Sequence, residues 1–219
     1  MYGFRSFHSI LPGSAFEYYS GMGFSRSVNT DPDGSYYAMR SVNSTKYLVI
    51  QSYKLEYSDT KTLLENLKNF EKIDEQDGFT IFKNKAYIPI GYSNSYYISD
   101  DEYEKIAKSN RDNMLARAVV LTDEQIEKYS DILPELEPDR YSDFNYYTFE
   151  KDAQELAKTA VDTFTPTANG FKATSSFTED RFVTFTVPWE SGWSATINGE
   201  KAEIEKAVSY THLRAHETV

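Results

Sequence analysis

Two histidines, His212 and His216, stand four residues apart, a spacing that on a helix turns both imidazoles to one side and suits a metal site. Neighbouring acids recur as Asp100-Asp101-Glu102, Asp123-Glu124 and Glu179-Asp180. A glycosidase needs two carboxylates held across a cleft. These acids instead fall at expected helix starts and turns, where they complement the helix dipole or stay hydrated. Asp31-Pro32-Asp33-Gly34 resembles the opening of a calcium loop, but Val42 stands where a bidentate Glu would close it, so no calcium is expected. Trp189 and Trp193 flank a turn through Gly192, and with Tyr92 they are candidates for an aromatic platform that stacks against a sugar. The competing reading of the tryptophans is an anchor between sheets. There is no Gly-rich phosphate loop and no nucleophile-elbow serine. Without cysteine, thiolate metal sites and disulfides are excluded. No catalytic residue, metal or cofactor is expected.

The histidine pair belongs to a segment that reads as foreign to the domain. Val208–Thr218 resembles one reading frame of the adapter DNA used in transposase-based sequencing libraries. Such scars are set aside in fold reasoning. That leaves His8, which has no acidic or thiol partner near it in sequence.

Composition narrows the remaining classes. The chain has 219 residues, 40% hydrophobic and 26% charged, enough apolar material for a buried core. Its net charge of −11 repels phosphate backbones, and no Lys/Arg cluster offsets this, so nucleic acid is not an expected partner. Apolar runs such as Ala118–Leu121 are far shorter than the roughly 18 residues of a membrane span, so no span is expected within the chain. Met1–Ile10 lacks the basic and apolar stretches of a signal peptide. Aromatic residues make up 16%, mostly tyrosine, which suits half-buried strands and sugar-facing surfaces alike.

The elements that would carry these residues change texture along the chain. Ser14 could cap a short helix ended by Gly21 and Gly23, and Ser35–Val42 suits another. Lys46–Ile50 and Phe79–Phe82 read as strands, and Thr60–Phe70 as a helix with Leu63, Leu64, Leu67 and Phe70 on one side. Ser99 and Thr122 should cap helices, and Ala153, Leu156, Ala157 and Ala160 share a face of a helix over Glu150–Ala160. After Thr165-Pro166-Thr167 the pattern becomes strand-like over Gly170–Phe177, Arg181–Val187, Gly192–Ile197 and Lys201–Ile204, with a hairpin signal at Asn198-Gly199. The expected fold class is α+β. A mixed α/β region over residues 1–165 precedes the first strands of a truncated β-sandwich over residues 166–207, and residues 208–219 form the foreign tail. A sandwich short of strands should leave an open, aggregation-prone edge after Gly170.

Three strings give a more specific reading. They are Ser44-Thr45-Lys46-Tyr47, Ala86–Tyr92 and Val187–Glu200. In order and spacing, from about Ser6 to Lys206, they resemble the extracytoplasmic region of the bacterial YfhO family of membrane proteins. Trp189 stands where that family usually has tyrosine. Members are similar to polytopic glycosyltransferases that use lipid-phosphate sugar donors, some acting on teichoic acid or other cell-envelope polymers. The family's acidic catalytic residue lies between early membrane helices and has no matching position here. The resemblance therefore implies an accessory domain on the extracytoplasmic face of the cell membrane, not expected to be catalytic itself. Its partners would be the transmembrane part of the same polypeptide and an envelope glycan. The alternative is a stand-alone carbohydrate-binding module.

Overall fold

The computed structural model describes residues 20–22, 37–66, 68–189, 191–207 and 210–215. The expected Ser14 cap, the Asp31–Gly34 turn, His8 and His216 lie outside them, as does the side chain of His212. The protein is α+β, with helices and strands in several small sheets.

Helix α1 (Tyr37–Val42) leads into strand β1 (Tyr47–Gln51), a 3-10 turn and helix α2 (Ser58–Asn66). Strands β2 (Phe70–Gln76) and β3 (Phe79–Asn84) complete an antiparallel sheet in the order β1-β3-β2. Phe70, expected to end a helix, opens β2 instead. Asp77 and Gly78 both take positive φ, at 51° and 78°, the two-residue turn that matches strand twist. Alternation in β3 buries Thr80, Phe82 and Asn84, while the opposite face leaves Tyr47, Val49 and Phe79 exposed.

Strands β4 (Tyr92–Ser93) and β5 (Tyr97–Ser99) precede helices α3 (Asp100–Lys105) and α4 (Arg111–Met114), then β6 (Val119–Leu121), which pairs in parallel with β5. The caps follow local chemistry. Ser99 Oγ accepts the Glu102 amide, and at helix α5 (Asp123–Tyr129) Thr122 and Gln125 form a reciprocal capping box. Helix α6 (Tyr146–Ala157) starts earlier than expected because Asn145 caps it, its side chain accepting the amides of Tyr147 and Thr148.

The expected boundary near Pro166 lies inside β7 (Thr163–Thr167), which pairs only with β8 (Gly170–Thr174) and so tolerates proline. Strands β10 (Ala195–Ile197) and β11 (Glu200–Ala202) form a hairpin through Asn198 and Gly199, both at positive φ. Strands β9 (Arg181–Pro188), β12 (Ile204–Ala207) and β13 (Tyr210–Ala215) join β4 in one sheet, ordered β12-β13-β9-β4. An open edge was expected after Gly170; at β9 that edge is covered by β13, drawn from the segment that resembles adapter translation.

Two apolar clusters hold these layers. The larger one centres on Met39, Val42, Ile88, Tyr92, Met114 and Phe149. The second joins Phe182 of β9 to Tyr97, Val119, Leu121, Tyr129 and Leu133, so residues on both sides of the expected boundary share one core.

Candidate functional site

The three candidate platform residues have different surroundings. Trp193 is half-buried. Its ring lies 5.9 Å from that of Phe171, which in turn stands 4.7 Å from Phe185 and 5.0 Å from Phe164. A Cβ on Gly170 would come within 3.3 Å of the Trp193 ring, so the β7–β8 hairpin presents its bare backbone to the indole. This is the anchor arrangement. Trp189 is also half-buried, with the Lys206 ammonium 5.5 Å from its ring centre. Tyr92 departs from expectation: it is 2% exposed and part of the larger core. Burial drives its phenol pKa well above the ordinary value. Its ring packs with residues far off in sequence, among them Met39, Val42, Met114 and Phe149. Tyr92 cannot meet a glycan, and the three rings form no common platform.

The acidic pairs are occupied locally. Asp100 Oδ1 accepts the Asp101 amide at 3.0 Å, and Glu102 pairs with Lys105. Asp123 and Glu124 lie in the first turn of α5, and Glu179 pairs with Arg181. Among the described residues, no group of three or more His, Cys, Asp or Glu could hold a metal ion, and no helix is long and apolar enough to cross a membrane.

The acid with the most displaced ionisation escaped the sequence reading. Asp112, 2% exposed, has its pKa raised from 3.8 to about 6 by burial, against hydrogen bonds from the Asn113 side chain and amide and from the Met39 amide. A displaced carboxyl is a common mark of an active site. Here it is enclosed in the core beside α1, whose Met39 amide it accepts.

A hollow of about 320 Å³ is bordered by Glu102, Ile106, Ala107, Asn110, Tyr141 and Phe144. Its outer wall is fixed by Arg117. The guanidinium bonds Asp152 Oδ2 at 2.5 Å, the carbonyls of Arg140 and Ser142 at 2.7 Å each and that of Asp143 at 3.2 Å, and it lies 4.9 Å from the Phe144 ring centre. A planar fork with five donors suits such a cluster of carbonyls. The Tyr141 hydroxyl is buried without a hydrogen-bond partner among the described residues. Being closed to solvent, it adds no binding group to the hollow.

Two of the three strings singled out in the sequence meet on β9, the strand that leads into the third. Ser44, at φ 55°, places its hydroxyl 3.1 Å from Thr186 Oγ1. Tyr92 and Ser93 pair with Thr184 and Val183. Gly91 adopts φ 80°, and an added Cβ would stand 2.8 Å from Val161 Cγ2 and 2.9 Å from Phe185 Cε1. The Gly91 carbonyl accepts the Val161 amide at 2.7 Å. No family model, curated protein or solved structure matches the chain.

Proposed function

We propose that this chain is an accessory, non-catalytic portion of the extracytoplasmic region of a YfhO-type membrane protein. The parent would transfer sugars from a lipid-linked donor to cell-envelope polymers such as teichoic acid. The observation that carries this reading is the junction on β9. The strings behind the resemblance begin at Ser44, Ala86 and Val187, yet Ser44, Gly91 and Tyr92 all meet the strand that runs into the third. A left-handed glycine with no room for a Cβ, and a buried serine bonded to a distant strand, are demands of a scaffold. They give Ser44 and Gly91 packing roles without invoking chemistry at this position.

Long reads across the locus test the proposal. Several hydrophobic spans encoded upstream in the same frame are expected, together with at least one downstream. A stop codon shortly after Lys206 with no upstream spans would overturn it. The second reading, a carbohydrate-binding module, draws support from the partial exposure of Trp189 and Trp193. It requires that envelope glycans change tryptophan fluorescence and that Trp193→Ala abolish the change.

A further inference from the structure

β9 is buried along four consecutive residues, Phe182, Val183, Thr184 and Phe185, none more than 4% exposed. A strand covered on both faces needs hydrogen-bond partners along its edges, because buried backbone amides and carbonyls are costly to leave unpaired. One edge has little supply, since β4 pairs only with Thr184 and Val183. The other edge pairs from Arg181 through Phe185 with β13, and again at Pro188 beyond a bulge. Thr186 and Val187 fall in that bulge, and Thr186 is the residue that reaches Ser44.

The far wall of this gap is held separately. β12 is tied to α5 through Glu205, whose carboxylate accepts from Tyr129 Oη at 2.7 Å, Lys128 Nζ at 2.8 Å and Gln125 Nε2 at 3.2 Å. Gln125 Nε2 also donates to the Lys206 carbonyl at 3.1 Å. Both walls therefore have anchors that do not depend on β13. Between them lies one strand's width, with the register Ile204↔Leu213 on one side and Leu213↔Val183 on the other. Main-chain pairing of this kind depends little on the sequence of the inserted strand.

We infer that the gap between β9 and β12 is a strand-accepting slot, filled here by Tyr210–Ala215 and filled in the parent by another strand of the same polypeptide. The inference rests on the proposal above, together with the resemblance of Val208–Thr218 to translated adapter DNA. It explains how an unrelated segment can sit in the middle of a sheet: the slot selects for an extended backbone of adequate length.

Two variants of the full chain test it, read by amide hydrogen exchange at Phe182 to Phe185 and by thermal unfolding. In the first, residues 210–215 are replaced by alternating Thr and Val. Protection at those amides is expected to persist, with Tm within about 3 °C of the parent chain. In the second, Leu213→Pro, a donor is lost from the middle of the slot. Protection should fall at least tenfold and Tm by about 10 °C. If the Thr/Val replacement is as damaging as Leu213→Pro, the slot requires this particular strand and the inference fails. It also fails if Leu213→Pro leaves protection unchanged. The locus reads decide the family proposal separately, so the two can fail independently.

Discussion

Asp112 gives the protein an unusual pH dependence. Its folded pKa of about 6 lies above the ordinary 3.8, so between those values the native state binds more protons than the unfolded chain. Its contribution to stability is fully present below pH 3.8, declines as pH rises, and is gone above about pH 6. A displacement of this size corresponds to about 3 kcal/mol. In Asp112→Asn this slope should disappear, and urea unfolding at intervals from pH 4 to pH 7 would show it as a flatter profile than the parent chain's. A variant that keeps the parent slope would mean another group is responsible. Gly91 offers a steric test of the junction. Ala at that position must accept a left-handed backbone and push into Val161 and Phe185, a combined cost of roughly 2–4 kcal/mol. Gly199→Ala also sits at positive φ but meets nothing within 4 Å, so chemical denaturation should show a clearly smaller loss there.

Among elements, the segment from Pro138 to Asn145 depends on one side chain. Arg117 gathers three of its carbonyls and joins them to Asp152 of α6. Arg117→Met would leave those carbonyls unpaired and Asp152 with its longer contact to Arg140 at 3.8 Å, a loss of about 3 kcal/mol. Because the Arg140 carbonyl is one of the three, trypsin cleavage after the exposed Arg140 should speed up in the variant more than cleavage elsewhere. Equal acceleration at all sites would point to global destabilisation instead. This clamp was not legible in the sequence, since three of its acceptors are backbone carbonyls more than twenty residues away. Interactions confined to a few residues were legible: Ser99 and Thr122 cap the expected helices, and Asn198-Gly199 turns the expected hairpin. β2 was missed because Glu71, Lys72, Asp74 and Glu75 hide any apolar alternation, leaving Asp77-Gly78 as the only local sign of its hairpin. The burial of Tyr92 was hidden for another reason: it is set by a core drawn from distant elements, from Met39 and Val42 of α1 to Phe149 of α6.

At the scale of the whole molecule, the interactions that cross the expected boundary at residue 165 determine how the chain unfolds. Phe182 packs with Tyr97, Val119, Leu121, Tyr129 and Leu133, its ring 5.1 Å from that of Tyr129. Ser44 bonds Thr186, Tyr92 and Ser93 pair with Thr184 and Val183, and Glu205 ties β12 to α5. The Glu205 carboxyl is pushed up by burial, but hydrogen bonds from Lys128, Tyr129 and Gln125 outweigh this and hold it below the usual value. Its contribution to stability is therefore present above the ordinary glutamate pKa and is lost as pH falls through the lowered one. Both tryptophans lie after the boundary and the helices before it, so fluorescence and far-UV circular dichroism report on the two sides separately. Shared packing predicts that the two signals change together in urea at pH 7 as one transition. Phe182→Ala should remove roughly 3–5 kcal/mol of that packing. If the link is the shared core, tryptophan fluorescence in this variant should shift to lower urea than the helical signal. Two separate transitions in the parent chain would instead show that the strands after residue 165 fold on their own account.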